Sequence, residues 1–271
     1  TTLNSFKRFM NFRKKGRDIP FDNIDSNLMM EYEQYLKSND ICPNSTSYYM
    51  RNLRAMYNRA VEKELVIQRY PFKHVYTGID KTVKRAVPAK IIRQIRDMDL
   101  SHDSSLEYAR DLFMFSFYTR GMSFIDMAYL KKSNLQNGFL SYRRKKTNQQ
   151  LVIKWEKPMQ EIIDKYDTIG SSYLLPIILD AKTDERKQYK NAAQLVNSKL
   201  KKLGKQIGLP IPLTSYVARH AWASIARSKN IPLATISEAM GHDSERTTRI
   251  YLASLDTSVV DKANSIILNT L

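Results

Sequence analysis

Four side chains in the second half of the chain are of types that could bind a phosphate group and attack it. Arg219 and Lys146 are cations, and arginine holds phosphate oxygens through planar, paired donors and a permanent charge. Tyr251 follows His242 within one short segment, and a tyrosine hydroxyl, with a pKa of about 10, becomes a nucleophile when its proton is removed. A single histidine or tyrosine is more often structural, so the functional interpretation depends on the order and spacing of all four.

Two segments and one predicted hairpin contain these four side chains, and a third segment accompanies them. The segments are Tyr118-Thr-Arg-Gly-Met-Ser-Phe-Ile-Asp126, Leu213-Thr-Ser-Tyr-Val-Ala-Arg-His220, and the stretch from Leu233 through Met240-Gly-His-Asp-Ser to Thr-Thr-Arg-Ile-Tyr251. Together with Lys146 on the hairpin, they resemble the catalytic set of the tyrosine recombinase (phage integrase) family, and within it the integrases of conjugative elements and the DNA invertases. Each motif is weak by itself, but the resemblance covers nearly the whole chain.

The resemblance implies a site-specific DNA recombinase, an integrase or invertase, that cleaves duplex DNA through a 3′-phosphotyrosine and needs neither a metal nor ATP. It implies that Tyr251 is the nucleophile, that Arg219 is the second catalytic arginine, and that His242 hydrogen-bonds the phosphate. Lys146 corresponds to the hairpin lysine that protonates the leaving 5′ oxygen; alternatively, it is one cation of a basic hairpin that grips a DNA groove. His220, next to Arg219, is expected to be structural or to support the site. Fixed cations suit this chemistry because they offset the charge of the transition state.

Two positions depart from the family pattern, and the first is Tyr216, where the family usually has histidine. A tyrosine there can donate a hydrogen bond to a phosphate oxygen or to the nucleophile. It is a poor proton acceptor near neutral pH, so a general base at this position is in doubt. The alternative is that Tyr216 simply packs in its helix.

The second departure is Ser123, which stands where the family has its first catalytic arginine. Asp126 then matches the family's supporting acid. We expect Arg120 to supply the missing charge, because positions i and i+3 share one face of a helix and a long guanidinium could enter the same pocket. If the segment before Gly121 is not helical, Arg120 is instead a candidate for a structural ion pair.

The composition favours a nucleic-acid partner. The 271 residues include 44 Lys and Arg against 27 Asp and Glu, a formal net charge of +17 that attracts polyanions such as DNA; a protein that is merely basic is the alternative. Cys42 is the only cysteine, which excludes an intrachain disulfide and a cysteine-based zinc site. The sequence has no apolar run long enough to span a bilayer and no secretory signal, so we expect a cytoplasmic protein without a cofactor or a membrane partner.

The periodicity of apolar residues predicts a mainly α chain with a small antiparallel β-sheet, an α+β fold. The second predicted helix is capped by Asp25 or Ser26. The others are predicted over 2–15, 45–66, 89–98, 104–119, 123–130, 158–167, 190–207, 215–228, 233–240 and 258–268. Two strands, 139–143 and 150–155, flank a turn at Thr147-Asn148 and place Lys146 on a hairpin.

Three parts are predicted along the chain. A small helical domain over residues 1–75 is followed by a linker, 76–88, with turn residues and mixed charge, and by a larger domain over 89–271. The resemblance implies that the first is a core-binding, SAM-like domain and the last the catalytic domain. The resemblance implies that the amphipathic segment 257–271 is a helix exchanged with a neighbouring protomer; the alternative is packing on its own domain. The chain starts abruptly at Thr1 within a helical pattern, so we expect an N-terminal, arm-type region to precede it.

Cations in three regions are expected to contact DNA phosphates, in a clamp formed by both domains. For the stripe on helix 45–66, a solvated face is an equal alternative. The candidates are Arg51, Arg54 and Arg59 on that helix, Lys81, Lys84 and Arg85 in the linker, and Arg143, Arg144 and Lys145 on the hairpin. The resemblance implies double-stranded DNA as the partner, a homo-tetramer on synapsed DNA formed from monomers in solution, and accessory DNA-bending proteins.

Two other functions remain open on these residues. A type IB topoisomerase has the same active-site chemistry but relaxes supercoils as a monomer without exchanging partners. The departures at Ser123 and Tyr216 also allow a catalytically inactive DNA-binding protein on the same fold. The motifs do not distinguish integration, excision and inversion, and they do not specify a target sequence.

Overall fold

The structure, a computed structural model, describes residues 2–13, 18–80, 86–180, 182–252, 265 and 268. Its compact units are Thr1–Val83 and Lys84–Leu271. The predicted fold class is confirmed, since the described residues are mainly helical with one small antiparallel sheet. The linker cations Lys81, Lys84 and Arg85 lie outside the described residues, as does nearly all of the predicted exchange helix 257–271.

The described part of the first unit contains three α-helices: α1 (Thr2–Phe12), α2 (Ser26–Ser38) and α3 (Pro43–Glu62). The start of α2 is as predicted because the Asp25 side chain accepts a hydrogen bond from the Leu28 amide at 2.8 Å. Pro43 begins α3, and its fixed φ and missing amide proton suit the first turn of a helix. The helices enclose an apolar core around Tyr32 and Tyr57.

Cys42 lies immediately before α3 and is exposed. Its sulfur is 3.2 Å from the Ser45 hydroxyl, and this hydrogen bond lowers the pKa of the thiol. Further along α3, the predicted cations Arg51, Arg54 and Arg59 are all exposed. One side of this helix is therefore basic and accessible.

The described part of the second unit contains eight helices and three strands. The helices are α4 (Ala89–Arg96), α5 (Ser104–Tyr118), α6 (Phe124–Ala128), α7 (Lys157–Ile163), α8 (Glu185–Gln206), α9 (Ser215–Ser228), α10 (Leu233–Ala239) and α11 (Glu245–Leu252). The strands are β1 (Leu135–Gln136), β2 (Phe139–Arg143) and β3 (Gln150–Lys154), paired antiparallel in the order β1-β2-β3.

The central helix of this unit is α5. The side chain of Asp103 caps its first turn, accepting hydrogen bonds from the amides of Ser105 at 3.0 Å and Leu106 at 3.1 Å. Phe113 and Phe115 are both fully buried, and α5 packs against α4, α7, α8 and α9. A helix that is apolar on several sides is buried among its neighbours, so α5 fixes the place of α9 and of the segment that follows its own end.

The hairpin formed by β2 and β3 matches the prediction. Leu140 pairs with Ile153, and both side chains are buried, while the alternate positions face outward. Residues 144–149 connect the strands, and Asn148 has a φ of +58° there, a conformation that asparagine tolerates well. The connection holds Lys146 in an exposed turn.

Neither a membrane-spanning helix nor a cluster of metal-ligating side chains occurs in the described ranges. Among those residues, no helix is both long and apolar enough to cross a bilayer. Within the same ranges, no three His, Cys, Asp or Glu side chains are grouped where they could share a metal ion.

Candidate active site

Arg219 is buried in α9, with 4% of its surface exposed. Its two terminal nitrogens donate to the carbonyl oxygens of Gly121 at 2.8 Å and Met240 at 2.6 Å. One of these nitrogens also lies 3.0 Å from Nε2 of His242. The two carbonyls are neutral, so they hold the guanidinium in place without offsetting its positive charge.

The close approach of α9 to the end of α5 requires a glycine. Gly121 has a φ of +74°, and a Cβ at this position would lie 2.6 Å from the Cα of Arg219. No side chain fits at that distance, and the left-handed backbone independently favours glycine. Gly121 therefore lets the helix that carries Arg219 pack directly on the chain after α5.

His242 lies between α10 and α11, and both of its ring nitrogens have close partners. Nε2 faces Arg219, and Nδ1 is 2.7 Å from Oγ1 of Thr248. A guanidinium can only donate, so Nε2 accepts and the proton of the neutral ring is on Nδ1. Burial and the charges of Arg219, Arg144 and Lys146 lower the pKa of His242 to about 4, so the ring is neutral near pH 7.

Arg144 is a second buried cation, with 7% of its surface exposed. It follows β2 and continues the alternation of the buried residues Leu140 and Tyr142, so its side chain turns inward. One terminal nitrogen donates to the Gly241 carbonyl, while Nε lies 3.9 Å from a carboxylate oxygen of Asp126. Nε has no hydrogen-bond partner among the described residues. Arg144 was expected as a general DNA contact on the hairpin; its burial beside His242 was not foreseen.

Asp126 joins the hairpin to α6. One carboxylate oxygen accepts a hydrogen bond from the Lys145 amide at 2.8 Å, and the other accepts one from the Ser123 hydroxyl at 2.6 Å. Ser123 is also the N-cap of α6, because its oxygen accepts from the Asp126 amide at 3.4 Å. The acid expected to support an arginine at position 123 is therefore 3.9 Å from Arg144 instead.

Arg120 does not have the helical relation to Ser123 that we expected. Helix α5 ends at Tyr118, and Arg120 and Gly121 have φ values of +61° and +74°. The Arg120 guanidinium lies 3.4 Å from the carbonyl of Val152 in β3. The predicted i, i+3 geometry is therefore wrong, because two left-handed residues break the helix; the catalytic role of Arg120 stays a prediction.

Tyr216 and His220 lie one turn apart on α9. Their rings meet edge to face with centroids 4.7 Å apart, and Tyr216 keeps 45% of its surface exposed. His220 therefore contacts Tyr216, and the roles of both side chains stay predictions.

Tyr251 lies in α11, a helix that the apolar periodicity does not predict, and its side chain is outside the part of the chain that the structure describes. Helix α11 packs against α9 and α10. The nearby Thr248 is fully buried. The helix of the expected nucleophile therefore adjoins the helix that carries Arg219.

The other cations of the hairpin are exposed. Arg143 and Lys146 point to solvent, and Lys145 Nζ lies 4.4 Å from the centre of the Tyr129 ring. Of these, Lys146 also contributes to the lowered pKa of His242, which places its charge within electrostatic reach of the ring.

Comparison with known proteins identifies the family of this chain. The model of the phage integrase SAM-like domain matches residues 1–77, and the model of the phage integrase family matches residues 89–258, more than half of the chain. The chain belongs to the phage integrase family. The resemblance expected from the motifs is therefore confirmed.

The relatives of this phage integrase family member are distant in sequence. Tyrosine recombinase XerA of Saccharolobus solfataricus is 25% identical over 122 residues, which cover 45% of this chain and only 37% of the relative. A lambda integrase dimer bound to a COC′ core site shares the fold, with 15% identity, a TM-score of 0.65, and coverage of 92% and 87% of the two chains. XerH recombinase bound to palindromic difH substrate, in a post-cleavage complex, also shares the fold. Its sequence identity is 16%, its TM-score is 0.69, and the match covers 98% of this chain and 77% of that one.

Proposed function

We propose that the chain is a site-specific DNA recombinase that cleaves and rejoins duplex DNA through a covalent bond to Tyr251. The observation that carries the proposal is a convergence: Arg219 and Arg144 donate to neighbouring carbonyls, of Met240 and Gly241, directly before His242. Two guanidiniums gathered at one point can bind the oxygens of a phosphodiester, and the imidazole can join them once its proton is on Nε2. They can also offset the negative charge that develops when that phosphate is attacked.

Each of these side chains has a separate task in the proposed reaction. Arg219 and Arg144 hold the non-bridging oxygens, and Arg144 supplies the charge that Ser123 lacks. The Tyr251 oxygen loses its proton to solvent and attacks phosphorus, while the bond to the 5′ oxygen breaks and Lys146 protonates that oxygen. Rejoining reverses these steps with the 5′ hydroxyl of another strand, and the phosphotyrosine bond keeps the energy that ATP would otherwise supply.

Two further side chains complete the phosphate contacts in this proposal. His242 directs Nε2 at the guanidinium of Arg219, so a phosphate oxygen bound by that guanidinium lies near the ring. Tyr216 precedes Arg219 on the same helix and is exposed, which suits a phenol that donates a hydrogen bond to DNA. His220 supports Tyr216 through their ring contact.

The partners belong to the same proposal. Duplex DNA would contact exposed cations of both units, with domains at 1–75 and 89–271 joined by the linker 76–88. A lambda integrase tetramer bound to a Holliday junction has this fold, with a TM-score of 0.67, and we propose a tetramer that exchanges segments 257–271 on synapsed sites. Accessory DNA-bending proteins and a cytoplasmic location complete the proposal.

An adduct assay tests the function directly. Nicked duplexes that tile the DNA flanking the gene are incubated with the protein and resolved on a denaturing gel. We expect a covalent protein–DNA band that is lost in Tyr251→Phe, although that variant still binds the duplex. Tyr48→Phe, at an exposed tyrosine of α3, is the matched control and should keep the band.

The other two functions give different outcomes. DNA binding without any adduct would support the catalytically inactive protein. An adduct accompanied by relaxation of supercoiled plasmid, with no exchange between two labelled duplexes, would support the topoisomerase. Strand exchange between the duplexes is the result that the recombinase requires.

A further inference from the structure

Thr248 belongs to the segment that ends at Tyr251, but the sequence assigns it no role of its own. Its side chain is fully buried, and its hydroxyl oxygen is 2.7 Å from Nδ1 of His242. Thr248 lies one turn before Tyr251 in α11, on about the same face of that helix, as positions i and i+3 do. A hydrogen bond therefore links the ring at the phosphate pocket to the helix of the expected nucleophile.

The hydroxyl of Thr248 could have made a hydrogen bond within its own helix. A threonine in a helix commonly bonds to a carbonyl of the preceding turn. Here it bonds instead to the one atom of the His242 ring that Arg219 does not engage. Because Arg219 only donates, Nε2 accepts and Nδ1 carries the proton, so the Thr248 oxygen accepts it. The bond fixes both the tautomer and the direction of the ring.

We propose that Thr248 is the positioning residue of this site: it holds His242 with Nε2 toward the phosphate pocket and docks α11 against that pocket. This inference rests on the proposed function for its effect on cleavage, but not for its effect on the ring. A hydroxyl is suited to this position because it can also donate. If the ring moves its proton to Nε2 when a phosphate oxygen arrives, Thr248 can donate to the vacated Nδ1.

Substitutions that separate the hydroxyl from the shape of the side chain test the proposal. Thr248→Val keeps the volume but leaves the Nδ1 proton of His242 without an acceptor, whereas Thr248→Ser keeps the hydroxyl. The control is Thr247→Val, at the exposed neighbouring threonine of the same helix. Thermal melting of all three variants shows whether each is folded.

The first measurement is the tautomer and the titration of the His242 ring, observed by NMR of labelled histidine. A His242→Gln variant assigns the signal. The charged groups that act on its pKa are Arg219 from α9 and Arg144 and Lys146 from the hairpin. We expect one neutral tautomer, protonated on Nδ1, in the wild type, Thr248→Ser and Thr247→Val. In Thr248→Val we expect a mixture of the two neutral tautomers, with the pKa of the ring still lowered because burial and the three cations remain. An unchanged ring in the folded Thr248→Val variant would overturn the proposal.

The second readout is the rate of adduct formation at saturating DNA. We expect Thr248→Val to be slower by about tenfold or more, since a buried donor is left unpaired, and Thr248→Ser to stay within a few fold. Wild-type speed in Thr248→Val would contradict the positioning role. Absence of any adduct from the wild type would instead refute the proposed function, and the NMR result would still decide the role of Thr248.

Discussion

Neutral peptide carbonyls satisfy two of the donors of the buried Arg219 side chain. Peptide carbonyls at Gly121 and Met240 satisfy its donors, and the neighbouring imidazole of His242 is neutral near pH 7. A carboxylate in the same place would have cancelled the charge that a phosphate needs. Arg144 differs only in part, since Asp126 is 3.9 Å away and makes no hydrogen bond to its Nε.

The two candidate replacements for the missing arginine make opposite kinetic predictions. We expect Arg144→Ala to slow adduct formation by about 100-fold or more, because a buried donor to the transition state is lost, while Arg120→Ala stays near the wild-type rate. Both rates are measured at saturating DNA. Arg144→Lys, which keeps charge but not paired donors, should be intermediate. A large loss in Arg120→Ala with Arg144→Ala near normal would restore the Arg120 hypothesis.

For individual residues, part of the candidate site could be predicted from the sequence. Arg219 and His242 could be named from motifs, and the structure brings them within 3.0 Å. The burial of Arg144 could also have been predicted, since it continues the alternation of Leu140 and Tyr142; its three basic neighbours concealed that signal. The hydrogen bond between His242 and Thr248 could not have been predicted, because no periodicity in the sequence indicates a contact of this kind.

Among the elements, helices whose start combines a cap with buried apolar residues were predicted well, and those without such residues in the first turn were not. Asp25 and Asp103 cap α2 and α5 where the pattern places them. Helix α8 begins at Glu185, earlier than its apolar periodicity, because Asp184 caps a first turn that has no buried residue. Helix α11 was missed, since its described buried side chains, Thr248 and Leu252, do not form an apolar stripe.

The junction between α5 and α9 can be tested with a pair of glycines. Gly121 and Gly138 have nearly equal φ values, +74° and +75°, but a Cβ at Gly138 meets nothing within 4 Å. Alanine at either site should lower stability by about 1 kcal/mol through the backbone. Gly121→Ala should lose more, because its Cβ overlaps the backbone of Arg219.

Thermal and urea denaturation of the two variants measure this difference. We also expect Gly121→Ala to form the adduct more slowly, since displacement of α9 moves Arg219, whereas Gly138→Ala should not change the rate. Equal stability of the two variants would show that α9 can shift without penalty, which the packing around α5 does not suggest.

For the whole molecule, the net charge of +17 predicts binding that weakens steeply with salt. Each phosphate neutralised contributes about 0.9 to the slope of log K against log salt. Replacing Arg51, Arg54 and Arg59 of α3 by glutamine should therefore lower that slope by about 2 to 3 if all three contact phosphates. Fluorescence anisotropy with a labelled duplex at several salt concentrations gives the slope.

A control with equal charge makes that experiment specific. The triple change Lys7→Gln, Arg8→Gln and Lys37→Gln removes the same number of cations from α1 and α2. It should alter the slope less than the α3 triple does. An equal effect of both triples would mean that the first unit attracts DNA through its overall charge, with α3 as a solvated face.

The lone cysteine gives this chain a practical advantage. Cys42 is exposed and directly precedes the basic helix α3. Its hydrogen bond to Ser45 lowers the pKa of the thiol, which increases the fraction of reactive thiolate. A maleimide dye would therefore attach at one known point of the unaltered protein. Energy transfer from that dye to a fluorophore at a chosen base would report, in each turnover, when the first unit binds the DNA and when it dissociates.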